Sequence, residues 1–241
     1  MTVLPRGLRG FSLTGFRPAA ALAFALTLAA AIAVTGCSGD PDATALAPAD
    51  PGPAGVYVAI GSDETIGTGL ERPFIEAWPR LLYRAELERG AVLVNAASAG
   101  STVAEALEEQ LPLALELEPT LATVWLNLDD VTLGVPVVTY ERQLADLVRA
   151  LRRDGRTEVL VANAPPGPLT ISVPNQASID QEIASRITPY NDAIARVAAA
   201  EGATLVDLHA AAASSPPIAH DGQYFTPEGN ARVAEIFADA L

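Results

Sequence analysis

The amino-acid sequence predicts a three-layer α/β/α sandwich built on a five-stranded parallel sheet, and three observations carry that reading. Five short runs are nearly continuous in apolar residues, the pattern of strands buried on both faces. Amphipathic stretches with helical periodicity separate them. The two kinds of segment alternate strictly, which makes the strands parallel and puts helices on both faces of the sheet.

Residues 1–36 read as a secretory leader: Arg6, Arg9 and Arg17, with no acid among them, precede an uncharged run from Ala19 to Val34. That run is shorter than the ~20 apolar residues of a comfortable membrane span. It ends in Val34-Thr35-Gly36-Cys37, which resembles the bacterial lipobox, whose cysteine is acylated and becomes the new N-terminus. Residues 37–55, rich in Pro, Ala, Gly and Asp, read as a flexible tether. The domain then spans 56–241. Its strands are expected at Val56–Ile60, Ala91–Asn95, Thr120–Leu126, Glu158–Asn163 and Thr204–Asp207. Its helices are expected at Pro73–Glu88, Thr102–Glu116, Tyr140–Arg153 and Ser178–Ala200. A last helix follows Thr226, a capping residue with Pro227 at the first helical position. The stretch Leu111–Glu118 alternates like a strand but falls where a helix is due, and reads as packing. Ala164 to Pro174 is a proline-rich loop, and Arg142, Asp146, Arg149 and Arg153 share one helical face that reads as solvated.

Composition narrows the partners. Loss of the leader with its three arginines takes the formal charge from −14 to −17. Such an acidic domain is excluded from nucleic acid and from simple electrostatic adhesion to anionic lipid. The lipobox resemblance implies that its route to a membrane is lipidated Cys37, with the domain expected outside the cytoplasm, anchored to the bacterial cell membrane or envelope. Cys37 is the only cysteine, so the domain has no internal disulfide and rests on its core.

In open parallel sheets, ligands bind beyond the carboxyl ends of the strands. Four segments fall there: Gly61–Gly67, Ala97–Thr102, Asn127–Val131 and His220–Asn230. Together they resemble the sequence blocks of the SGNH, or GDSL-type, hydrolases, a flavodoxin-like sandwich. Tyr57-Val58-Ala59-Ile60-Gly61-Ser62-Asp63-Glu64 is similar to the opening strand and nucleophile turn, and Ser98-Ala99-Gly100-Ser101-Thr102 to the second block, whose glycine donates to the oxyanion. Val124-Trp125-Leu126-Asn127-Leu128-Asp129-Asp130 is similar to the third block, GxND, and Asp221-Gly222-Gln223-Tyr224-Phe225-Thr226-Pro227 to the last, DGxHP. The resemblance implies an esterase or acyl hydrolase with a serine nucleophile, an aspartate-held histidine and three oxyanion donors.

The residues depart from that set. Asp63 stands at the nucleophile position, Asp129 at the oxyanion asparagine and Tyr224 at the histidine, while Gly100 and the orienting Asp221 match. An ionised Asp129 donates no hydrogen bond and repels an oxyanion, and Tyr224, with an ordinary pKa of about 10, is a poor base at neutral pH. Three readings follow. In the first, the domain is a binding module for an envelope glycan, an acyl ligand or a cation, with Asp63, Asp129 and Asp221 converging beside Glu64 and Asp130 and Tyr224 above them. Hard carboxylate oxygens would suit Ca²⁺ or Mg²⁺. In the second, Ser62 and His220 act in a shifted register as an esterase or carbohydrate deacetylase; strand alternation, which sends adjacent side chains to opposite faces, opposes it. In the third, Asp63 and Asp129 form a carboxylate-based hydrolase of glycans. The other histidine, His209, reads as a surface or core residue.

Overall fold

A computed structural model of the chain describes residues 55–87, 89–166, 176–212, 218, 220 and 224–241, the side chains of 176–180 excepted. The five strands are β1 (Val56–Gly61), β2 (Val92–Asn95), β3 (Leu121–Trp125), β4 (Glu158–Ala162) and β5 (Thr204–Val206). They pair in the order β2-β1-β3-β4-β5 and every pairing is parallel. The expected strands thus form within one or two residues of their expected limits.

The central strands β1, β3 and β4 lie buried because successive side chains feed two cores, while the edge strands β2 and β5 stay partly exposed. Val58, Ile60, Val124 and Val161 point to one face, where they meet α7 (Val137–Arg152) and α8 (Gln176–Glu201). Tyr57, Ala59, Trp125 and Leu160 point to the other, against α3 (Trp78–Glu86) and α10 (Pro227–Ala238). Trp78 of α3 stacks on Phe237 of α10 with centroids 4.1 Å apart, and Asn230 Oδ1 accepts the Trp78 N–H at 3.0 Å. Such aromatic stacking adds to the area that the rings bury. The three-layer expectation holds. Among the described residues no helix is long and apolar enough to cross a membrane.

Prolines rewrite two of the expected helices. The stretch 73–88 breaks into α2 (Pro73–Glu76) and α3, with Ala77 extended between them. Pro79 has no N–H to offer the carbonyl of Ile75, and its ring would collide with it. The stretch from Thr102 runs as α4 (Val103–Glu105), a π-helical turn over Ala106–Gln110, and α5 (Leu111–Glu116). Pro112 cannot bond the Glu108 carbonyl, so the turn before it widens. Thr226 does cap α10, accepting the Gly229 N–H at 3.2 Å. On the face expected to be solvated, Arg153 departs: its side chain is only 12% exposed and pairs with Glu118. Three short helices went unpredicted: α1 (Asp63–Ile66), α6 (Leu128–Leu133) and α9 (Leu208–Ala212). All three lie just beyond the carboxyl ends of strands.

Chain order also fixes where a crevice opens. From β1 the chain crosses to β2 on one side, then returns to β3 on the other, so the connections after β1 and β3 diverge. Such a switch point is where doubly wound sheets leave room for a ligand.

Candidate functional site

The site is built where β1 and β3 end side by side, Gly61 paired with Trp125. Each strand gives way almost at once to a helical turn: Ser62 precedes α1, and Asn127 precedes α6, which carries Asp129 and Asp130 in its first turn. In an extended strand Ser62 and Asp63 would face opposite ways. The helical turn starting at Asp63 cancels that alternation, and both side chains reach the same place, with Ser62 Oγ 3.5 Å from Asp63 Oδ2. The expectation that Ser62 faces away is corrected on this ground.

Ser62 is nearly inaccessible at 2% exposure. Its hydroxyl accepts the Ser101 N–H at 3.1 Å and donates to Asp129 Oδ2 at 2.5 Å, the length of a strong hydroxyl-to-carboxylate bond. The Asp63 carboxylate is held at both ends. Thr68 Oγ1 donates to its Oδ1 at 2.7 Å, and the Gly100 N–H donates to its Oδ2 at 2.8 Å. Gly100 sits at φ +68°, a left-handed conformation that glycine adopts without strain.

A second layer fixes this geometry. Gln110, buried at the end of the π-helical turn, accepts the Gly61 N–H at 3.0 Å and donates to the Gly61 carbonyl at 3.0 Å and to Ser101 Oγ at 2.9 Å. It therefore ties the turn after β1 to the loop that carries Gly100. Thr102 opens α4 in a capping box with Glu105: the Glu105 N–H donates to Thr102 Oγ1, and the Thr102 N–H to Glu105 Oε2. Asp130 is fully buried; its Oδ2 accepts the Val103 N–H at 3.0 Å, and its Oδ1 has no partner among the described residues.

Burial sets the electrostatics. It pushes the Glu64 carboxyl up to about 7, with the charges of Asp129 and Asp63 adding to the effect. It raises Asp130 to about 6 against the pull of the Val103 N–H. Asp129 is also raised, burial outweighing the Ser62 hydrogen bond that favours its charge. The crevice is acidic, and Glu64, Asp129 and Asp130 hold their protons more tightly than ordinary carboxyls.

Of the residues expected at the site, Ser62, Asp63, Gly100 and Asp129 come together, with Glu64 and Asp130 adjoining. Tyr224 instead packs over the loop after α1, its ring so close to Gly69 that a Cβ there would lie 2.7 Å from it. His220 is exposed in a β-bridge with Phe225, and the Ser62 proton goes to Asp129, not to it. His209 is exposed, its Nδ1 3.2 Å from the Ala164 carbonyl. Asp221, Cys37 and most of the loop to Pro174 lie outside the described residues. Among the described residues, no three or more His, Cys, Asp or Glu side chains are grouped to hold a metal ion. Sequence reasoning missed Thr68, Ser101 and Gln110. Ser101 lay within the second block, but nothing in the sequence announced the π-helical turn that delivers Gln110.

A family model described as GDSL-like lipase/acylhydrolase matches residues 59–232. No curated protein matches. Among solved structures the chain is similar to TesA (21% identity, covering 77% of this chain and 97% of that one, TM-score 0.62). It is similar to phospholipase A1 from Streptomyces albidoflavus (18%, 78% and 100%, 0.62) and to an extracellular lipase from Streptomyces rimosus (16%, 78% and 100%, 0.59). At these identities the likeness establishes a shared fold.

Proposed function

The chain belongs to the GDSL-like lipase/acylhydrolase family, and from that premise we propose that it is a cell-envelope lipoprotein whose domain binds an envelope glycan or acyl ligand without hydrolysing it. One observation carries the reading: the Gly100 N–H, which aligns with the family's oxyanion donor, is already given to the Asp63 carboxylate at 2.8 Å. Acyl transfer needs that donor free for charge that develops on the substrate oxygen. Here a resident anion takes it, anchored from behind by Thr68. Ser62 supports the same view, since its hydroxyl is buried and committed to Asp129. Asp129 would receive its proton as a carboxylate, a far weaker base than an imidazole.

The deciding experiment measures turnover of p-nitrophenyl acetate and of acetylated glycans by the full chain and by Ser62→Ala, alongside retention of the same glycans. Both proteins are expected to release product at the background rate. A wild-type rate that collapses in Ser62→Ala would overturn the reading and establish a serine hydrolase.

A further inference from the structure

We infer that a second site, in the groove between α7 and α8, takes a slim aliphatic ligand with a single anionic head. The groove is a wide-mouthed surface depression that offers about 480 Å³. Its apolar lining is made only of small aliphatic side chains, Val138 and Ala145 from α7 and Val197 and Ala200 from α8. Val138 is 81% exposed, an aliphatic surface left without a covering residue. No ring lines the groove, so nothing offers the flat face on which a sugar or a base would stack.

The charges beside that lining decide the polarity of the ligand. Both oxygens of Glu141 are engaged by Arg196, at 2.9 and 2.8 Å, and both oxygens of Glu201 by Arg149, at 3.1 and 2.5 Å. Paired head to head in this way, the carboxylates have their charge offset and exert little net attraction on a cation. Arg142 lines the same groove and makes no hydrogen bond or ion pair with any described residue. Its guanidinium is thus the group left to read a ligand, and it reads a carboxylate or phosphate oxygen. An aliphatic lining with one unspent guanidinium matches an alkyl chain ending in an anion. The Ser62 crevice, rimmed with carboxylates, would repel the same molecule.

The test uses decanoate carrying a diazirine near its methyl end, photolysed with the full chain, with adducts mapped by mass spectrometry. A trimethylammonium probe of the same length serves as the comparison. The anionic probe is expected to label residues 138–145 or 196–201. Labelling should fall about tenfold with the cationic probe and in Arg142→Gln, the loss expected when one charge-assisted hydrogen bond is removed. Ala145→Phe, which fills the groove, should abolish it. Adducts that map elsewhere, equal labelling by the two probes, or labelling that survives Arg142→Gln would overturn the inference. If Ala145→Phe does not fold, Arg142→Gln, an exposed position, decides alone.

Discussion

A carboxylate one residue further along the chain than in the family's Gly-Asp-Ser turn changes what a backbone N–H can do. At position 63 a serine would leave the Gly100 N–H facing the crevice, whereas aspartate reaches across and occupies it. Removing the carboxylate should reopen the donor. In Asp63→Ala, millimolar methylphosphonate is expected to shift the Gly100 amide signal in a ¹⁵N–¹H spectrum, while the wild type shows no change; an unresponsive Gly100 in the variant would mean that Asp63 does not block it. Glu64 gives a second prediction at this scale. Its folded carboxyl titrates near 7, above its ordinary value of 4.5, so between those values the folded state holds the proton more tightly than the unfolded state. Stability therefore falls as pH rises through that window, the reverse of a salt-bridged acid. Glu64→Gln, which carries no charge, should flatten the fall. At pH 7.5 it should raise Tm by roughly 2–4 °C, the shift that ~1 kcal/mol produces in a domain of this size. A wild-type Tm that stays level from pH 5 to 7.5 would show that Glu64 ionises freely.

At the scale of elements, the π-helical turn matters more than its five residues suggest. By widening before Pro112 it brings Gln110 to the end of β1, where one side chain satisfies the Gly61 N–H, the Gly61 carbonyl and Ser101 Oγ. Gln110→Ala takes the partner of the Gly61 N–H and one bond each from the Gly61 carbonyl and Ser101 Oγ, which keep the Ser98 N–H and the Thr102 carbonyl. It is expected to cost about 1–3 kcal/mol in urea unfolding and to release Ser101 from Ser62; a loss below ~0.5 kcal/mol would mean that water replaces the amide. This element also marks the limit of what the sequence discloses. The strands were legible because burial on both faces writes a continuous apolar run, as in Val56-Tyr57-Val58-Ala59-Ile60, and α10 because Thr226-Pro227 is a start signal. The break at Ala77 was readable in principle, since Pro79 forbids the bond to Ile75. The short helices α1 and α6 were not, because four to six residues at a strand end carry no periodicity. That gap had a consequence at the site: with α1 unseen, strand alternation turned Ser62 the wrong way. The meeting of Asp63, Asp129 and Gly100 followed from aligned blocks, whereas their hydrogen bonds follow from turns the alignment does not describe.

For the whole molecule, the proposed envelope location raises the question of how so acidic a domain would be held at a membrane. A formal charge of −14, more negative still without the leader, opposes approach to an anionic bilayer, so the surface of the domain cannot supply the attraction. On the proposed lipoprotein reading, acylation of Cys37 in Val34-Thr35-Gly36-Cys37 would, because buried acyl chains contribute ~0.8 kcal/mol per methylene and more than one chain makes anchoring stable. Two outcomes are expected. Cells fed labelled palmitate should incorporate it into the wild-type chain and not into Cys37→Ser, and label persisting in the variant would refute acylation at this cysteine. A protease site placed among residues 44–50 should, when cut, release the domain from washed membranes into the soluble fraction. Release should be equally complete at low and high salt, because screening weakens ionic adhesion and leaves an acyl anchor untouched. Membranes that give up the uncut chain in high salt alone would show that the domain is held by charge.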